Sequence, residues 1–175
     1  MTRLPWPLRG ERVVLRPFSQ SDINASYLAW LNDPITMQYS NQRFYRHDFA
    51  SATRYLASFE GSDSLFIAID DQFHRRLGTM TAYVSTQHGT ADLGILIGER
   101  KVWSQGLGLD AWRTLMERLF ERGIRKVTGG TLDCNLAMLA IFRKLGMQLE
   151  GRRKRQEIVD GKEQDILLYA RFAND

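Results

Sequence analysis

Cysteine is almost missing from this chain: Cys134 stands alone among 175 residues. No disulfide can close within the chain, and a lone thiol points to a structural, half-buried residue in a reducing compartment. Histidine is scarce too. His47, His74 and His88 are scattered, with no cysteine or carboxylate at ligand spacing, so a metal centre is not expected. Long apolar runs are absent. No stretch approaches the length of a membrane span, and Met1 to Arg12 carries prolines and charges in place of an apolar signal core. The expectation is a cytoplasmic protein with no membrane partner. Strong charge of one sign is also lacking, the formal net charge being +4. That suits an anionic small ligand without demanding nucleic acid. Arg152-Arg-Lys-Arg155 is the one basic run; no aromatic residue is interleaved with it, and it reads as a solvated strand edge. Nucleic acid is therefore not an expected partner. There is no internal repeat, low-complexity tract or linker. The chain fits a single domain over 1–175, with its core over about 10–172, and 43% hydrophobic residues suffice to bury that core without staples.

Periodicity outlines the elements. Glu11 to Phe18 alternates around Val13 and Leu15 as an opening strand. Ser21-Asp22 caps an expected helix through Tyr27, Leu28 and Leu31 that ends at Asn32-Asp33-Pro34, and a second helix follows His47-Asp48. Ser64 to Asp70, Leu77 to Ser85 and Thr90 to Gly98 read as strands. Leu107 to Arg122 repeats apolar residues at Leu109, Trp112, Leu115 and Leu119, a helix with one buried stripe, ended by Gly123. Arg125 to Leu132 is another strand, Asn135 to Leu145 a short helix, and two final strands pair across Asp160-Gly161. Strand, helix and strand over 91–132 form one βαβ unit, which makes its strands parallel neighbours. Gly94, Gly98, Gly129 and Gly130 fall on those two strands. Either the sheet opens there to admit an extended ligand, or the strands pack tightly against helix 107–122.

The most informative segment follows Thr90 to Gly98. Gly106 and Gly108 sit in a turn ahead of a helix, so the N–H groups of Leu107 and its successors point outward at the positive end of the helix dipole. Such a turn seats a phosphate or pyrophosphate. Gly106-Leu-Gly-Leu-Asp-Ala111 matches the dinucleotide fingerprint G-x-G-x-x-A, which raises a nicotinamide-dependent oxidoreductase. Against it, Glu99 to Gln105 separates strand from glycine, and only one βαβ unit is present. A P-loop fails because no Gly-Lys-Ser/Thr follows.

The order of elements, this turn and Asn135-Leu-Ala-Met-Leu-Ala-Ile-Phe-Arg-Lys-Leu-Gly-Met147 together resemble the GNAT superfamily of acyl-CoA-dependent N-acetyltransferases. Residues 30–34 (Trp-Leu-Asn-Asp-Pro), Ala91-Asp-Leu-Gly94 and the Asp160-Gly161 hairpin resemble the branch of ribosomal-protein N-terminal and nucleotide-linked amino-sugar acetyltransferases. The implied fold is α/β (α+β): a mixed, mostly antiparallel sheet flanked by helices, its central parallel βαβ unit splayed at the cofactor site. The implied cosubstrate is acetyl-CoA. By the same resemblance, Leu96, Ile97 and Gly98 bond the pantetheine arm as an added strand. Ser104, Gln105, Gly106, Leu107, Gly108 and Leu109 wrap the pyrophosphate, and Asn135 bonds nearby, with Phe142 on the same helix. The sequence departs from the family pattern at Trp103, at Met138 where serine is common, and at Phe142 where many members carry a tyrosine acid.

Acyl transfer needs a neutral amine, hence a carboxylate or ordered water to take a proton. Asp92 and Glu99 flank the cofactor strand and are the candidate bases, Asp92 the better placed. Backbone N–H groups near Ile95 to Ile97 would meet the oxyanion. Cys134 has no histidine near it and is read as structural. Trp30, Asn32, Asp33, Tyr39, Arg43 and Tyr45 cluster after the first helix as acceptor candidates, Arg43 suited to a phosphate or carboxylate. The acceptor is left open between a protein N-terminus and an amino-sugar nucleotide. A homodimer and a non-catalytic acyl-CoA sensor also stay open.

Overall fold

A computed structural model of the chain describes residues 4–175. The reading of the N-terminus as free of a signal core begins on residues 1–3, which lie outside the described residues. Among the described residues, eight strands form one sheet in the order β1-β2-β3-β4-β5-β6-β8-β7. They are β1 (Leu8–Arg9), β2 (Val13–Pro17), β3 (Leu65–Asp71), β4 (Arg76–Ser85), β5 (Thr90–Ile97), β6 (Lys126–Leu132), β7 (Gln148–Val159) and β8 (Lys162–Phe172). Four helices flank them: α1 (Ala25–Asn32), α2 (Phe49–Ala57), α3 (Leu107–Glu121) and α4 (Leu136–Lys144). All neighbouring strands are antiparallel except β5 and β6, which are parallel because α3 crosses between them. Among the described residues no helix is long and apolar enough to cross a membrane.

The sheet separates two apolar layers. On one face Leu15, Ile67, Ile69, Leu93 and Val127 meet the buried stripe of α3 (Ala111, Trp112, Leu115, Leu119) and Phe142 of α4. On the other, Phe66 and Ala68 meet Phe18, Ile23, Tyr27 and Ala52, with Phe66 stacked on Phe18 at 4.3 Å between ring centroids. The alternation of β3 accounts for this, since successive side chains leave a strand on opposite faces.

Local signals place most boundaries. Asp48 caps α2 by accepting from Ser51 N at 2.7 Å. Asp160 and Gly161 both have positive φ, 50° and 75°, the geometry of a tight two-residue hairpin. One start differs from expectation. Asn24, not Ser21 or Asp22, caps α1, its Oδ1 accepting from Tyr27 N at 3.0 Å. The carboxylate of Asp22 is turned instead to Arg16 at 2.9 Å and Arg76 at 2.6 Å, and the residues around it form a separate 3-10 turn. The strand β1 was not expected, because two residues are too short to carry any periodicity.

Candidate active site

The parallel pairing of β5 and β6 lasts for three residue pairs, Thr90↔Lys126, Ala91↔Val127 and Asp92↔Thr128. Beyond them the strands part. β5 stays with β4 as far as Ile97, and β6 stays with β8 as far as Leu132. The facing edges of Leu93–Ile97 and Gly129–Leu132 thus present backbone groups with no ladder partner, a cleft that an extended chain of amides can enter as a strand. The glycines on these strands answer first to packing. A Cβ on Gly129 would stand 2.8 Å from the Trp112 ring, and one on Gly98 would stand 2.0 Å from Trp30. Tight packing and a local opening of the sheet therefore coexist here.

One end of the cleft is the start of α3. The approach to it is irregular, with Ser104 at φ 62° and Gly106 at φ 81°. An added Cβ at Gly106 would meet nothing within 4 Å, and no side chain caps the helix. The first-turn N–H groups from Leu107 onward are accordingly open to an anion at the positive end of a 15-residue helix. Gly108 is packed differently, its missing Cβ lying 3.3 Å from Ile141 Cδ1. Two long-range ties hold this turn in place. Arg12 donates to the Gln105 carbonyl oxygen, and buried Asp110 accepts from the backbone N–H groups of Glu11, Arg12 and Val13 at 2.8 to 3.1 Å.

The opposite face of β4 and β5 carries a cavity of about 720 Å³. Thr79 and Thr81 of β4, Gly94, Ile95 and Leu96 of β5, Tyr27 of α1 and Tyr55 of α2 line it, with Arg46, His47 and Arg54 around them. Tyr27 is 4% exposed, and its hydroxyl has no hydrogen-bond partner among the described residues. Tyr55 shares a hydroxyl contact of 3.0 Å with Tyr83. Burial pushes both the Tyr27 and the Tyr55 phenol well above the ordinary tyrosine range, so each is a neutral hydrogen-bond donor at physiological pH.

The residues expected from sequence fall into distinct places. Leu96 lines the cavity, and the Ile97 carbonyl accepts from Trp103 Nε1 at 2.8 Å, which closes the end of β5. Asp92 lies in the last parallel pair before the cleft, exposed, its Oδ1 accepting from Thr128 Oγ1 at 2.6 Å. Glu99 caps the 3-10 turn after β5 by accepting from Lys101 N. Asn135 caps α4, its Oδ1 accepting from Met138 N at 3.3 Å. Phe142 is 0% exposed between Trp112 and Tyr169, leaving no surface for a ligand. Burial pushes the Cys134 thiol up, which disfavours the thiolate.

On the acceptor side, Tyr45 lines the cavity, whereas Trp30 covers Gly98 and Tyr39 stands exposed outside the cavity lining. Asn32 braces residue 47, its side chain bonding both His47 N and His47 O. Asp33 accepts from Thr36 N and Oγ1. The Arg43 guanidinium donates to Ser40 O at 2.8 Å and Ile158 O at 3.0 Å and lies over the Phe44 ring. Sequence reasoning missed Tyr27, Arg46, Arg54, Tyr55 and both threonines. Tyr27 and Tyr55 gave only the apolar face of two short helices, the ordinary signal of a core, while Arg46 lies between those helices and the threonines lie within β4, with no local signal of a site.

The Acetyltransferase (GNAT) domain family matches residues 12–148 of this chain. No curated protein matches it. Among solved structures it is similar to RimL, a ribosomal L7/L12 alpha-N-protein acetyltransferase in complex with coenzyme A, at 20% identity and TM-score 0.81, covering 95% of this chain and 96% of that one. A spermidine N-acetyltransferase SpeG chimera from Vibrio cholerae and hSSAT aligns at 13% identity and TM-score 0.81 over 93% and 96%. The microcin C7 self-immunity acetyltransferase MccE, in complex with acetyl-CoA and AMP, aligns at 15% identity and TM-score 0.79 over 93% of each chain. These likenesses carry the fold.

Proposed function

We propose, from the premise that this chain belongs to the GNAT acetyltransferase family, that it moves an acetyl group from acetyl-CoA to a primary amine by direct attack. One observation carries the reading. Gly94, Ile95 and Leu96 belong to the stretch of β5 that has no partner on its β6 side, and they also line the cavity over β4 and β5. A donor arm lying along the cleft and an amine lying in the cavity therefore meet across one strand. The residues present fit the cofactor. The uncapped start of α3 offers N–H groups to a pyrophosphate, and the open space beside Gly106 leaves room for it.

Acetyl-CoA supplies an acyl group on a thiol of pKa about 8.5, a tolerable leaving group without a tyrosine acid. The chain's part is to hold the amine, remove its proton and neutralise developing negative charge on oxygen. Backbone N–H groups of Ile95 to Ile97 on the cleft side are positioned for the last task. Asp92 is the proposed base, because it stands where the cleft begins, whereas the Glu99 carboxylate is engaged as a cap. Tyr27 and Tyr55, as neutral donors, position the acceptor and do not take its proton. The acceptor belongs to the classes named from sequence, a protein N-terminus or an amino-sugar nucleotide.

Thermal unfolding tests the cofactor directly, since a ligand that binds only the native state raises the melting temperature. Acetyl-CoA should raise it and NADPH should not. Thiol release should then follow addition of an amine acceptor. A shift with NADPH and none with acetyl-CoA overturns the proposal.

A further inference from the structure

The cavity over β4 and β5 is electrostatically one-sided. Arg46, His47 and Arg54 line it, and no aspartate or glutamate does. Three nearby arginines are engaged, Arg16 and Arg76 with Asp22 and Asp70, and Arg43 with backbone carbonyls. Neither the Arg46 nor the Arg54 guanidinium has a hydrogen bond or an ion pair within 4 Å among the described residues. The carboxylate that Arg54 influences is Asp48, which is occupied in capping α2 through Ser51. The His47 ring faces the Gln42 carbonyl oxygen at 3.1 Å. Tyr27, 4% exposed as a residue, lines the same cavity, and its hydroxyl has no hydrogen-bond partner among the described residues.

A cavity lined by free guanidinium groups and a neutral phenol donor is not built for a polycation. Each ammonium of a polyamine would lose water to enter a space without a counter-charge. A phosphate or carboxylate has two unoccupied guanidinium forks to meet. The same cations disfavour the ammonium form of the reacting amine, and the neutral form is the one that attacks.

We infer that the acceptor is an amine that also carries an anionic group, phosphate or carboxylate, which Arg46 and Arg54 hold while the amine reaches the β5 strand. The inference rests on the acetyl-transfer reading above and adds the chemical class of acceptor. Five acceptors test it in the presence of acetyl-CoA. They are a tetrapeptide with acidic side chains, its counterpart with amide side chains, an amino-sugar phosphate, its unphosphorylated counterpart, and spermidine. At least one anionic member should exceed its neutral partner by about tenfold or more in kcat/KM, and that ratio should fall as salt screens the charges. The arm that responds tells whether the anion is a carboxylate or a phosphate. Arg46→Gln and Arg54→Gln, both at exposed side chains, should each reduce the ratio severalfold through KM, and the double variant should abolish it. Acetyl-CoA affinity of the same variants, read by calorimetry, should stay at the wild-type value. Equal rates for charged and neutral partners, or spermidine as the preferred acceptor, overturn the inference and leave acetyl transfer standing. Failure of wild-type protein to bind acetyl-CoA in the calorimeter overturns both.

Discussion

Asp110→Asn should loosen the start of α3 from the strand that precedes it. The carboxylate Oδ2 accepts from Arg12 N at 2.8 Å and Val13 N at 3.1 Å, and Oδ1 accepts from Glu11 N at 3.1 Å. Asp110 is 6% exposed and Val13 is 0% exposed, so water cannot replace the carboxylate at the inner end of this contact. Asparagine keeps one oxygen. Placed at the Oδ2 position, it holds Arg12 and Val13 by neutral hydrogen bonds, while its amide group sets a donor against the Glu11 N–H. Hydrogen bonds to charged groups contribute about 1.5–3 kcal/mol and neutral ones about 0.5–1.5 kcal/mol. The Glu11 end is exposed and regains water. The expected loss is about 2–3 kcal/mol on that basis, and about 3–5 kcal/mol for Asp110→Ala, which leaves the Val13 N–H buried and unpaired. Urea unfolding by linear extrapolation measures both. Acetyl-CoA affinity should weaken severalfold in parallel, because the same helix start carries the Gly106 turn that Arg12 holds through Gln105 O. An asparagine variant within about 0.5 kcal/mol of wild type would refute the anchoring.

Further outcomes follow from the same geometry. Gly106→Ala forces a side chain into φ 81° and places a methyl group in the open space ahead of α3. It should cost about 1 kcal/mol in stability and raise the acetyl-CoA Kd roughly tenfold; an unchanged Kd puts the phosphate seat elsewhere. Asp92→Asn should lower kcat by about 10²–10⁴-fold and leave acetyl-CoA affinity intact; a near wild-type rate removes Asp92 from the base role. Arg16 and Arg76 hold the Asp22 carboxyl far below the ordinary range against the opposing effect of burial. Its folded value lies below its unfolded one, so its contribution is complete above the unfolded carboxylate pKa of about 3.9 and is lost as pH falls below that toward the folded value. Urea midpoints should drop as pH falls below about 4, and Asp22→Asn should flatten that decline while lowering stability at neutral pH.

What the sequence determined by itself is what neighbouring residues decide. The apolar stripe at Leu109, Trp112, Leu115 and Leu119 specifies α3 and its buried face, and Asp160-Gly161 specifies the hairpin turn between β7 and β8. The parallel pair followed from a strand, helix and strand in succession, and Gly106 marked the start of α3, which no side chain caps. Each of these is fixed within a few turns of chain. The cavity proposed for the acceptor was not legible, because it joins α1, α2, β4 and β5 with the irregular segment between the first two helices. In that segment composition could not tell Arg43 from Arg46. The backbone carbonyls of Ser40 and Ile158 need donors once no regular structure supplies them, and they take Arg43, which leaves Arg46 facing the cavity. Asp22 and Asp110 are alike in this respect. Both stand near helix starts, yet Asp22 is placed by arginines on two strands and Asp110 by N–H groups some hundred residues away in sequence. Only the closed sheet brings those partners within hydrogen-bond reach, and a buried carboxylate goes where its charge is satisfied.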